Sequence, residues 1–430
     1  MDFKIREVST SEVKEFLNNE EYVIVDVRPT HAYNGWQLRN EQRSGHIKGA
    51  RTLPVKWAEY LDWIEIVRHK NILPSQKIVL YGYDEEDIIK VAKRFNDAGY
   101  DQLFSYKDFL NIWCKDESLP MDYLSRYAEL VYPQWVNQLL NGENPPVYNN
   151  NDNFVICHCH YRNYDDYLEG HIPGAIALDT LELESPETWN RRSPEELSKA
   201  FQKHGIDADT TVVVYGRYSF PDNNDPFPGS SAGQLGAIRC AMIMLYAGVK
   251  DVRVLNGGIA AWEAEKLPLS KTVTHPVPKQ NFGANIPVKP EIIVDIEEAK
   301  NMIAAPDADI ICTRSYPEYI GEVSGYNYIE KKGRIPGAVY IDNGSDAYHM
   351  ENYQNLDYTT REFHEIEQML REAGLLPDKH LAFYCGTGWR GSEAFYNVYL
   401  MGWPRVSVFD GGWFEWSNDP QNPVETGVPA

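Results

Sequence analysis

Two short marks recur three times along this chain, always in the same order. The first is a turn: Gly45-His46-Ile47-Lys48-Gly49-Ala50, then Gly170-His171-Ile172-Pro173-Gly174-Ala175, then Gly333-Arg334-Ile335-Pro336-Gly337-Ala338. The second is a strand running into a loop: Val79-Leu80-Tyr81-Gly82, then Val213-Val214-Tyr215-Gly216, then Ala382-Phe383-Tyr384-Cys385. A period this long means duplicated domains rather than a solenoid. The 430 residues leave room for about three domains, at roughly 150 residues each. A third mark closes two of the units: Val254-Leu255-Asn256-Gly257-Gly258 before Trp262, and Val408-Phe409-Asp410-Gly411-Gly412 before Trp413 and Trp416. Its glycine pair supplies backbone angles that other residues avoid.

Between these marks, short β-rich runs alternate with helical patterns. Val23-Ile24-Val25-Asp26-Val27-Arg28 reads as a strand, and residues 87–95 place Ile88, Val91 and Phe95 on one helical face. Residues 195–204 and 361–372 also have helical spacing. Such alternation predicts α/β domains around mostly parallel sheets. Composition puts boundaries near 117–122 and 270–284, giving domains 1–120, 121–275 and 276–430. Residues 219–236, rich in Pro, Asp, Asn, Gly and Ser, read as a surface loop.

The formal net charge of -22 repels phosphate backbones and argues against nucleic-acid binding. The first residues carry charge and no apolar h-region, and no run of 18 apolar residues exists for a membrane span. The expected location is cytoplasmic, or periplasmic if a leader was removed. Six cysteines in a chain this long form no disulfide framework, and most sit in apolar runs as small hydrophobes.

Cys385 is different. An apolar run ends at it, and Gly386-Thr387-Gly388-Trp389-Arg390-Gly391-Ser392 follows as a glycine-rich loop opening a helix. Inward-pointing N–H groups of such a loop make an anion nest, and the helix start adds the positive end of its dipole. Arg390 is expected to close the loop with a positive charge. This environment suits a thiolate, the reactive form of cysteine, and equally a persulfide, Cys-S-S⁻.

The Gly-His-Ile-Pro-Gly-Ala turn, the strand ending in Cys385-Gly386-Thr387-Gly388-Trp389-Arg390, and Asp410-Gly411-Gly412-Trp413 resemble the rhodanese family of sulfurtransferases. The likeness covers nearly the whole chain and is greatest to bacterial thiosulfate sulfurtransferases with three tandem rhodanese domains. It implies three doubly wound α/β domains and a ping-pong reaction. A donor such as thiosulfate loads sulfane sulfur on Cys385, and a thiol, cyanide or protein acceptor removes it. On this resemblance Cys385 is catalytic, and Gly386, Thr387, Gly388, Trp389, Arg390 and Gly391 bind substrate. Arg314 is a secondary candidate, and no metal, cofactor, nucleic acid or membrane is involved. Gly82 and Gly216 stand at the cysteine position of the first two domains, which are expected to be catalytically silent. Two-domain thiosulfate and mercaptopyruvate enzymes carry an Arg where Glu318 stands here, and the Cys385-Gly386 start of the loop is similar to that of mercaptopyruvate enzymes, so 3-mercaptopyruvate is the alternative donor.

Other readings compete. Phosphatases and arsenate reductases of this fold place Arg at the sixth position after Cys, whereas Arg390 is at the fifth, in a tighter ring suited to one sulfur. A non-catalytic persulfide-binding or protein-docking module is the non-enzyme alternative, since fold does not prove catalysis. Cys157-His158-Cys159-His160 alternates within a strand, so its four side chains cannot converge on one metal ion. His46 and His171 read as hydrogen-bonded turn residues, and Trp413 and Trp416 as core.

Overall fold

The computed structural model describes residues 5–149, 152–218, 229 and 232–429. It divides into two compact units, one ending at Ala128 and one starting at Glu129. In the first, β1 (Arg6–Glu7), β2 (Tyr22–Asp26), β4 (Arg51–Thr52), β5 (Lys77–Tyr81) and β6 (Leu103–Tyr106) form a parallel sheet in the order β1-β6-β5-β2-β4. A separate antiparallel pair joins β3 (His46–Ile47) to β7 (Met121–Asp122). Composition placed a boundary at 117–122, yet Met121 and Asp122 are paired into the first unit.

The second unit holds two further parallel sheets of five strands. One runs β10-β9-β11-β12-β8, from β8 (Leu130–Val131), β9 (Phe154–His160), β10 (Ile176–Asp179), β11 (Thr211–Tyr215) and β12 (Asp251–Leu255). The other runs β13-β17-β16-β14-β15, from β13 (Ile293–Val294), β14 (Ala308–Cys312), β15 (Val339–Tyr340), β16 (His380–Tyr384) and β17 (Val406–Phe409). Gly82, Gly216 and Cys385 each follow the middle strand of their sheet, where parallel sheets present loops for binding.

The recurring marks are physically linked. The hydroxyls of Tyr81, Tyr215 and Tyr384 accept from the backbone N–H of Ile47, Ile172 and Ile335, at 3.1, 2.9 and 3.4 Å. Each middle strand is thereby tied to its turn. A second tyrosine holds the other side: Tyr33, Tyr167 and Tyr319 donate to the carbonyls of Ala50, Ala175 and Ala338. His46 and His171 stack on Tyr33 and Tyr167 at 3.6 and 3.7 Å, and Arg334 lies over Tyr319. The histidines are turn residues of the core, as their spacing predicts.

A helix follows each middle strand: Glu85–Asp97, Gly233–Ala247 and Trp389–Leu400. The first is amphipathic, burying Ile88, Val91, Ala92 and Phe95. The second is buried on every side and packs against the third. Its start at Gly233 shortens the loop expected over 219–236, of which 219–228, 230 and 231 lie outside the described residues. Along β9, Cys157 and Cys159 face Cys240 of the helix, while His158 bonds Tyr215 and Asp166 on the other side.

Neither glycine at the first two strand ends has room for a side chain. A Cβ at Gly216 would meet the Gly233 carbonyl oxygen at 2.2 Å, and one at Gly82 would meet Val27 at 2.6 Å. Overpacking of this kind costs about 1–3 kcal/mol where side chains can yield, and backbone yields less. Gly216→Cys is therefore expected to lower the melting temperature by several degrees, roughly 2–4 °C per kcal/mol. Differential scanning fluorimetry of the full chain checks this.

Candidate active site

Cys385 lies at the tip of β16, 1% exposed, and its Sγ accepts from the Gly388 N–H at 3.1 Å. Gly388 takes a left-handed φ of 97°, which swings its amide inward and starts the helix Trp389–Leu400. Gly386 is required for another reason: a Cβ there would lie 2.2 Å from the Tyr326 ring. The Gly386 N–H points to the Tyr326 hydroxyl at 3.3 Å. From behind, the N–H groups of Trp413 and Phe414 hold the carbonyls of Cys385 and Gly386, at 2.8 and 3.0 Å. The Gly411-Gly412 mark thus seats the loop on the helix Gly412–Asn418.

Arg390 does not stand open to an incoming anion. It is 1% exposed and forms a two-pronged pair with Glu318, at 2.8 and 2.9 Å. It also donates to the Asp346 carbonyl at 2.9 Å and the Tyr326 hydroxyl at 2.7 Å. Burial by itself would raise the Glu318 carboxyl; Arg390 outweighs it and holds the group below the usual carboxylate range. The charge expected to capture substrate is neutralised by the residue that departs from the family's arginine. Burial pushes the Tyr326 phenol well up, so it stays protonated.

Arg314 is buried beneath this layer, donating to the Gly333 carbonyl at 2.6 Å and the Cys312 sulfur at 3.4 Å, with Trp413 against its face. It braces the turn and does not reach the cavity. Gly391 also faces inward, where a Cβ would press on the Phe383 carbonyl at 3.2 Å. Thr387 and Trp389 do line a cavity, of about 260 Å³, above the loop. Its other aromatic walls are Tyr326, Tyr328 and Tyr348 from the third repeat, and Tyr161 and Trp189 from the second. Arg162 is its one charged lining residue among the described residues.

Of these aromatic walls the sequence singles out Trp389 alone; Tyr161, Trp189, Tyr326, Tyr328 and Tyr348 emerge only in the fold. The chain's 28 Tyr and 11 Trp were the available signal, but nothing local marked which of them meet. The second repeat also holds the loop, through contacts that no sequence pattern marks. Glu184 accepts from the Trp389 indole N–H at 2.9 Å and from Arg239 at 3.1 Å, and Arg239 donates to Asp410 at 2.6 Å. Burial pushes the Glu184 carboxyl up while Arg239 pulls it back; for Arg239, Asp410 and Glu184 outweigh burial and the guanidinium keeps its charge.

A thiol at a sheet's C-terminal tip, within reach of a loop amide and below an aromatic-lined cavity, is an arrangement that suits carrying a group on sulfur. Rhodanese-like domains match residues 9–116, 133–265 and 295–419, and the chain belongs to this family of sulfurtransferases. It is 39% identical to the thiosulfate sulfurtransferase YnjE of Escherichia coli (strain K12), over 94% of this chain and 88% of that protein. It is 28% identical to the sulfur carrier protein TtuD of Thermus thermophilus, over 69% of this chain and 96% of the other. Solved structures of EanB are 58% identical and superpose with a TM-score of 0.98, covering 99% of both chains. Those structures include complexes with hercynine and with ergothioneine. One has a cysteine persulfide in a tetrahedral intermediate state with ergothioneine.

Two measurements probe the buried charges. Removing one partner of a buried pair costs about 3–5 kcal/mol, so Arg390→Ala is expected to lower the melting temperature sharply. Arg390→Met with Glu318→Leu should recover most of that loss; no recovery would mean that the pair is not the reason. Glu393, on the same helix, is buried with Gln354 donating to one oxygen, and burial pushes its carboxyl up to about 8. It is neutral in the folded chain but ionised in the unfolded chain between about 4.5 and about 8, so stability falls as pH rises through that window. Glu393→Gln should flatten the decline in melting temperature measured between about pH 5 and about pH 8.

Proposed function

We propose that the chain transfers sulfane sulfur from a persulfide on Cys385 to the imbedded imidazole carbon of hercynine, giving ergothioneine. The observation that carries this reading is the match around the cysteine. EanB has been solved with a persulfide on one cysteine and with substitutions of a tyrosine 59 residues before it and a threonine two residues after it. In this chain Tyr326 precedes Cys385 by the same interval, and Thr387 follows it by two.

The cavity supports the same substrate. Hercynine carries a quaternary ammonium, an imidazole and a carboxylate. Aromatic faces attract quaternary ammonium groups, and six aromatic residues wall this space. A persulfide lengthens Cys385 by one S–S bond, about 2 Å, toward it. Its outer sulfur bonds to C2 of the imidazolium, giving a tetrahedral carbon. Loss of the C2 proton to solvent water then forms the C=S bond as the S–S bond breaks, and the electron pair returns to the Cys385 sulfur. Tyr326, protonated and fixed by Arg390, is placed in this reading to hold an imidazole nitrogen.

A second reading, thiosulfate as donor with a small thiophilic acceptor, rests on the likeness to YnjE. It fits the site less well: thiosulfate is a dianion, and Arg390 is already paired with Glu318. In both readings the first two domains carry no sulfur. In the first, three acids, Glu85, Glu86 and Asp87, fill the helix start where an anion would sit.

The test is incubation with polysulfide and hercynine, followed by mass analysis of protein and product. Wild type is expected to gain sulfur on Cys385 and release ergothioneine, while Cys385→Ser does neither. Rapid sulfur transfer from thiosulfate to cyanide without any ergothioneine would favour the second reading.

A further inference from the structure

We propose that the buried pair Glu184–Arg239, supplied by the domain that lacks a cysteine, positions the two indole walls Trp189 and Trp389 and so selects the acceptor that meets the Cys385 sulfur. This rests on the proposed reaction and names the residues that give it specificity. Both side chains are wholly buried, with no exposed area. Arg239 uses Nε on Glu184 at 3.1 Å, and Nη2 on both Asp410 at 2.6 Å and the Trp189 carbonyl at 3.0 Å. The second oxygen of Glu184 takes the Trp389 indole N–H at 2.9 Å. One guanidinium therefore reaches one wall through its backbone and the other through a carboxylate.

Three features separate this from ordinary interface packing. A buried ion pair is poor evidence for stability, because apolar residues of equal size commonly serve as well. Trp189 holds a left-handed φ of 63°, a conformation bulky residues avoid and one that clusters at ligand-binding sites. The Nη1 end of Arg239 lies against the Cys385 loop itself, since a Cβ on Gly388 would stand 2.9 Å from it. Tyr161 packs between the walls, 5.8 Å from Trp189 and 5.5 Å from Trp389, so a shift in either indole reshapes the cavity. Cyanide, a two-atom acceptor, does not need these walls; hercynine does.

The experiment compares full-length wild type with Glu184→Ala, Glu184→Gln and Trp389→Phe. Each is loaded with polysulfide, weighed for the Cys385 persulfide, and assayed with hercynine and with cyanide. Losing a hydrogen bond to a charged group predicts a rise of about tenfold or more in the hercynine KM for Glu184→Ala and Trp389→Phe. In Glu184→Ala, persulfide loading and transfer to cyanide should stay near wild type. Glu184→Gln keeps an acceptor for the indole and should recover most of the hercynine KM. The double variant Glu184→Ala/Trp389→Phe should be no worse than the worse single. An unchanged hercynine KM in Glu184→Ala, or an equal loss with cyanide, would overturn the proposal. Hydrogen exchange gives a readout independent of the acceptor: peptides covering 184–192 and 385–392 should exchange faster in Glu184→Ala. Unchanged exchange there also overturns it. Wild type that does not convert hercynine while the exchange shifts as expected refutes the assigned substrate and keeps the positioning role.

Discussion

Arg390 and Glu318 neutralise one another directly beneath the Cys385 loop, and the character of the site follows from that pairing. A free guanidinium here would make the cup an anion trap. With Glu318 in place, the guanidinium turns to structural tasks, holding the Asp346 carbonyl and the Tyr326 hydroxyl. The sulfur accepts from the Gly388 amide, and its loop neighbours Thr387 and Trp389 line a cavity of aromatic faces. Such surroundings favour a flat or cationic organic partner over a small dianion.

The three repeats keep the same scaffold because its parts support one another. A tyrosine before each strand tip holds a turn amide, and a second tyrosine holds the carbonyl on the far side of that turn. Losing the cysteine leaves these bonds untouched. At the first two tips Gly82 and Gly216 are packed where a side chain would stand. The second repeat keeps a role in the site through Tyr161, Trp189 and Glu184.

Much of this was legible in the sequence because it is local. Strand, glycine loop and helix start adjoin in residues 381–392, and the alternating pattern of each unit follows from burial on sheets and helices. The Gly411-Gly412 mark was visible as a turn; that it holds the Cys385 and Gly386 carbonyls was not. Glu318 is visible in the sequence as a departure from the family, but its pairing across 72 residues with Arg390 comes from the fold. Gly391 and Arg314 sit in the motif yet face the core, because adjacency in sequence does not set direction. The aromatic walls come from segments far apart in the chain, and the Glu184–Trp389 contact spans 205 residues. No local pattern encodes such meetings.

The Cys385 sulfur lies below an aromatic-walled cavity, and the Arg390 guanidinium beside it is neutralised by Glu318. Calorimetric titration of Cys385→Ser with hercynine and, separately, with thiosulfate tests that most directly. Saturable binding of hercynine with none for thiosulfate is the predicted result; tight thiosulfate binding with no heat from hercynine would contradict it.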